Sequence, residues 1–135
     1  MSAIEEAVRV DVASTDGTQT FSFAGSGTLR RDARGVHLQY AARNEAGDTV
    51  VSSLHLGAGR ALVDAGAYRL LLDPGHPTQA RISAQGGTLA LTVTAHLVHA
   101  DLIGSRGTIT LHYTLSNRDR ALQEMQVRLA LTPME

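Results

Sequence analysis

The apolar run TAHLVHADL at 94–102 holds two histidines three residues apart, the first residues in this chain whose type and spacing invite chemistry. On a helix, His96 and His99 would share a face and could address one metal ion; on a strand they would point to opposite sides. A bulge between them would restore a common face, and the change of phase at Ala100 and Leu102 hints at one. A second pairing runs across a hairpin. If the turn GSRG at 104–107 centres on Gly104, His96 falls opposite His112, close enough for two imidazoles to meet. Two histidines without a carboxylate or a third histidine make a weak site, so they read as exposed residues among threonines, and no metal or other cofactor is expected.

Other reactive constellations are missing. There is no Gly-x-Ser-x-Gly elbow, no His-Glu-x-x-His and no pair of carboxylates set into apolar strands. His76 sits in the turn DPGHP, and Asp16, Asp32, Glu45, Asp48, Asp73 and Asp119 fall in turns, where they serve solvation and turn geometry. Cysteine is absent, which removes disulfides, thiol nucleophiles and zinc–cysteine or iron–sulfur sites. Lysine is absent too, because all twelve basic residues are arginine; Schiff-base chemistry and a P-loop lysine go with it, whatever GSGT at 25–28 suggests. The net charge of −1 and the lack of any basic run give no field to collect nucleic acid or an anionic membrane. Two glutamates interrupt MSAIEEAVRVDV where a signal peptide needs an apolar core, and no run of apolar residues is long enough to span a bilayer. A cytoplasmic protein without nucleic-acid or membrane partners is the expectation.

The elements that position these residues are strands. With 135 residues and 43% hydrophobic content, the chain reads as one domain over 1–135 with one core. Apolar residues recur at period two, broken about every ten residues by Gly, Asp, Asn and Pro clusters. Val8, Val10 and Val12 lead through TDGT to Phe21, Phe23 and Leu29. Val36, Leu38 and Tyr40 lead through EAGD to Val50, Leu54 and Leu56. GAGR at 57–60 precedes short strands near Ala61–Val63 and Tyr68–Leu72, and Ile82 marks a weaker one. Thr88–His99 and Thr108–Leu115 form a long hairpin, with Leu89, Leu91, Val93, Leu97 and His99 in its inward phase, and Val127, Leu129 and Leu131 close the chain. About ten strands result. Gly25 and Gly27 mark a bulge or sharp bend of the kind that curls a strand around a barrel. The expected fold is all-β, a single antiparallel calycin-like β-barrel of eight to ten strands, with a two-sheet sandwich as the alternative.

Specific stretches also resemble a family. GVHLQY at 35–40, the spacing to ALVDAGAYRLLLDPG at 61–75, and GGTLALTVTAHL at 86–97 followed by GTITLHYTL at 107–115 are similar to the YwiB-like family of small bacterial calycin-like barrels. The resemblance spans about residues 8–131 and implies the barrel, but no activity, because the family's function is unassigned. It also implies an aromatic before the glycine at the place of Gly86; this chain has ISAQGG there, so the shape of any pocket is not carried over.

The five aromatics, Phe21, Phe23, Tyr40, Tyr68 and Tyr113, all fall in the apolar phase, which leaves no outward platform for stacking nucleobases. Buried tyrosines need partners for their hydroxyls, supplied by backbone or water in a packed core or by a ligand in a cavity. If all strands are consecutive hairpins, the C-terminal ends of the second and eighth strands meet at one rim. There, Arg31 and His99, both in the inward phase, would hold a carboxylate or phosphate head, with Tyr40, Tyr68 and Tyr113 lining the way inward. Three readings follow. The first is a non-enzymatic protein binding a small apolar or amphipathic ligand inside the barrel. The second is a structural or oligomerising module with a filled barrel, and the third a hydrolase-like enzyme with a His/Arg site. Monomer and homodimer both fit.

Overall fold

Val8, Val10 and Val12 are buried while Arg9 and Asp11 between them are exposed, the signature of a strand with one wet face. The computed structural model, which describes residues 4–43, 47–65, 68–84, 86–117 and 120–134, carries that alternation through ten strands. They are β1 (Ile4–Thr15), β2 (Thr20–Asp32), β3 (Gly35–Arg43), β4 (Thr49–Gly57), β5 (Arg60–Asp64), β6 (Arg69–Leu72), β7 (Thr78–Ala84), β8 (Gly87–Ile103), β9 (Arg106–Asn117) and β10 (Arg120–Pro133). Of the expected turns, Glu45 and Ala46 of EAGD, and also Asp119, lie outside the described residues.

One antiparallel sheet contains all ten strands in the order β6-β5-β4-β3-β2-β1-β10-β9-β8-β7. Each strand is laddered to its neighbours in sequence, and β1 to β10, except at one place: β6 and β7 share no ladder. These two edges nevertheless approach each other, and the Thr78 hydroxyl donates to the Leu71 carbonyl across the gap at 2.5 Å. The sheet is thus a nearly closed up-and-down barrel with a single seam, and not a sandwich of two sheets.

Closure requires curvature, and three places supply it. Gly25 and Gly27 keep β2 in unbroken register with both β1 and β3, so they form no bulge. A Cβ at either position would strike a carbonyl oxygen of β3, that of Ala41 or Gln39, so glycine permits the sharp bend and the close approach. The other two places are true bulges, at His96 in β8 and at Leu122 in β10.

The bulge at His96 corrects an expectation. Ala95 pairs with Tyr113, but the next pair is Leu97 with His112, so one residue is absorbed and the strand changes phase. Val98 and Ala100 then pair with the buried Leu111 and Ile109, and share their inward face. Leu97 is 44% exposed, and His99, opposite Thr110, faces outward instead of into the barrel.

Candidate functional site

Inside the barrel, the two ends differ. Toward the end where β2 meets β3 and β8 meets β9, Val8, Leu29, Leu38, Leu56, Ala61, Leu72, Ile109 and Leu131 are buried and fill the lumen. The Gly104–Ser105 turn is tied across this end. Ser105, 5% exposed, donates its hydroxyl to the Glu6 carboxylate at 2.6 Å, and the Arg31 guanidinium donates to the Gly104 carbonyl at 3.0 Å. These two bonds give the barrel a floor.

Toward the opposite end the lumen is open. A cavity of about 340 Å³ is walled by the C-terminal parts of β1, β3 and β5, the N-terminal parts of β2 and β4, and β9 and β10. Val12, Phe23, Val63, Leu111, Met125 and Val127 make it apolar, and Ser14 and Ser52 add hydroxyls. Tyr40, Tyr68 and Tyr113 all face it. No charged side chain lines it among the described residues.

Alternation explains how three tyrosines from different strands converge. Tyr40 shares the inward phase of β3 with Leu38, and Tyr113 that of β9 with Leu111, while Tyr68 immediately precedes β6. Burial pushes all three hydroxyl pKa values above the ordinary tyrosine range. For Tyr40 the hydroxyl of Ser52, its cross-strand partner, opposes the shift, and for Tyr113 the neighbouring Tyr68 and Tyr40 add to it. Tyr68 and Tyr113 have no hydrogen-bonding partner for their hydroxyls among the described residues. Neither oxygen is sealed off, so both face open space in the lumen.

The residues expected at one rim are therefore separated. The C-terminal ends of β2 and β8 do meet, and Arg31 bonds the turn that follows β8. Arg31, however, stands opposite Val36, four residues or about 13 Å along β3 from Tyr40 and at the floor end. Its guanidinium is occupied by the Gly104 carbonyl, and His99 lies outside the barrel because of the bulge. The structure does not assemble an Arg31–His99 head-group site leading to the tyrosines.

The outer face carries two histidine pairs. His96 and His112 have ring centroids 4.9 Å apart, but His96 Nε2 is bonded to the Thr114 hydroxyl at 2.7 Å and His112 Nε2 to Glu124 at 2.6 Å. Among the described residues, no group of three or more His, Asp or Glu side chains is arranged to hold a metal ion. The second pair was missed in the sequence: His37 and His55 stack at 4.1 Å with 17° between their planes. They sit beside a polar hollow of about 430 Å³ on the outer wall, flanked by the Arg30–Asp32 and Arg69–Asp64 ion pairs. His37 Nε2 is buried and lies 3.5 Å from the Asp32 carboxylate without a hydrogen bond to it. Its signal was available, because a β3–β4 hairpin centred on Ala46 places residue 37 opposite residue 55.

No helix among the described residues is long and apolar enough to cross a membrane. The crystal structure of the ywiB protein from Bacillus subtilis superposes on this chain with a TM-score of 0.74 at 18% identity, covering 98% of this chain and 94% of that one, which establishes likeness of fold. No curated protein sequence matches the chain. The family model described as a domain of unknown function, DUF1934, matches residues 7–129, from the buried half of β1 to the inward Leu129 of β10. On that match the chain belongs to the DUF1934 family, with a YwiB-like barrel fold.

Proposed function

We propose that this protein is a non-enzymatic, cytoplasmic binding protein whose barrel interior takes a small apolar or amphipathic molecule. One observation carries the reading: the lumen is packed solid at one end, yet holds a tyrosine-lined cavity of about 340 Å³ at the other. That volume lies within the range of about 300–1,000 Å³ over which proteins enclose small ligands. Apolar walls supply affinity, and the few hydroxyls supply orientation. Native mass spectrometry of protein freshly purified without a polyhistidine tag tests it. The expected result is an adduct of defined mass that is lost on denaturation. Ligand-free protein that is also not stabilised in thermal-shift assays by any member of an apolar small-molecule panel would remove the proposal.

The second reading, a structural or oligomerising module, draws on the outer wall. Val51, Leu71 and Leu97 are outward-facing apolar residues, 56%, 38% and 44% exposed, on β4, β6 and β8. The same mass spectrum reports subunit count, and a ligand-free dimer would favour this reading over the first.

A further inference from the structure

The cavity's chemistry narrows what it accepts. Its described lining offers apolar surface and hydroxyl groups, with no arginine or histidine to neutralise an anion and no carboxylate to neutralise a cation. A charge taken into such a space loses its hydration without gaining a counter-ion, a penalty that no single hydroxyl offsets. The cation nearest in concept, Arg31, is spent on the floor and bonded to Gly104. Hydrogen-bonding capacity, by contrast, is in surplus. Tyr68 and Tyr113 present hydroxyls to the lumen with no protein partner among the described residues, and Ser14 and Ser52 add further hydroxyls to its wall.

We infer that the part of the ligand seated in the lumen is uncharged, and is an apolar body bearing a hydrogen-bond acceptor such as a carbonyl that meets the hydroxyls of Tyr68 and Tyr113. This rests on the binding reading above and specifies the class of molecule bound. A carbonyl oxygen has two lone pairs and can accept from both phenols, whereas a single donor hydrogen meets only one phenol oxygen, so two free tyrosine hydroxyls facing one lumen suit a shared acceptor better than a lone donor. Burial raises the pKa of both phenols, so each keeps the O–H that it can donate. The selection is therefore against fatty-acid-like anions and for neutral ketones, amides, esters or quinone-like molecules.

A matched series separates these ideas. Prodan, a neutral naphthalene ketone whose emission reports both polarity and hydrogen bonding to its carbonyl, serves as reporter. Naphthalene, naphthyl methyl ketone and naphthoate compete with it at neutral pH. They share one ring system and differ in having no acceptor, a neutral acceptor or a charge. The expected order of affinity is ketone, then naphthalene, then naphthoate. In the Tyr68→Phe/Tyr113→Phe double variant, checked for cooperative melting, the preference for ketone over naphthalene should fall by about threefold to tenfold, the scale of lost neutral hydrogen bonds. Naphthoate binding as tightly as the ketone, or an unchanged ketone preference in the double variant, overturns the inference while leaving a binding cavity in place. Failure of Prodan and of all three competitors to bind, the competitors read directly by thermal shift, overturns this inference, and together with a ligand-free native mass spectrum and no stabilisation by the wider apolar panel it also removes the binding proposal beneath it.

Discussion

Asp16 shows how much one side chain can organise at the surface. Its carboxylate accepts from the backbone N–H groups of Gln19 and Thr18 and from the Thr18 hydroxyl, fastening the turn between β1 and β2 at the open end. These bonds, the Gln19 amide first, lower its pKa from 3.8 to about 2. A carboxyl depressed by folding stabilises the fold fully above its unfolded value, and the contribution is lost as pH falls through the folded one. Wild type should therefore be more stable than Asp16→Ala near neutral pH, with the difference shrinking below about pH 4 and most of its pH-dependent part lost by about pH 2. Urea unfolding of both proteins across that range measures it, and a constant difference at all pH values would remove ionisation from the explanation. Residue by residue, the sequence was legible where phase decides the outcome. Tyr40, Tyr68 and Tyr113 share the lumen because each lies in the apolar phase of its segment. It was not legible for Arg31, whose partner is a backbone carbonyl 73 residues away on a turn.

The β8–β9 hairpin shows why whole elements can be read correctly and single positions on them misread. Period-two alternation locates both strands, but a bulge of one residue reverses every inward and outward assignment beyond it. Counting from a turn centred on Gly104 pairs residues whose numbers sum to 208, which is the observed register at Ala95 and Tyr113. The real turn is the two-residue Gly104–Ser105, between the paired Ile103 and Arg106, so the register below the bulge sums to 209. His99 changed sides for that reason. Leu91 and Leu111 lie where alternation and structure agree, 5% and 2% exposed. Leu111→Ala should cost about 2–5 kcal/mol, while Thr110→Ala, on the outward phase beside it, should cost about 0.5 kcal/mol or less. Chemical denaturation of the two variants gives the comparison, and equal costs would contradict the face assignment.

At the scale of the molecule, the first and last strands lie in the middle of the sheet and the edges of the sheet lie in the middle of the chain. β1 and β10 are paired, and the Met134 amide donates to the Ala7 carbonyl, whereas the unladdered edges β6 and β7 flank the turn Asp73–Pro77. A circular permutant joined from Met134 to Ile4 by a short linker and opened within Asp73–Pro77 keeps every ladder. It should unfold cooperatively with a loss of roughly 1 kcal/mol, the order of a modest change in loop closure. Opening instead at Gly104–Ser105 releases the Arg31 and Glu6 bonds and should lose more, as parallel denaturation of the two permutants would reveal. Closure into a barrel was anticipated from Gly25 and Gly27, but the seam's location was not, because no local pattern marks which of nine hairpins fails to ladder. The floor has a kinetic consequence. A vessel with one lip fills and empties through the same opening, so whatever covers that lip slows arrival and departure by the same factor. Half-saturation would stay unchanged while residence time lengthened. For a guest of the kind proposed above, how long it stays and how tightly it is held would therefore be separable properties, the first set by access through the mouth and the second by the wall beneath it.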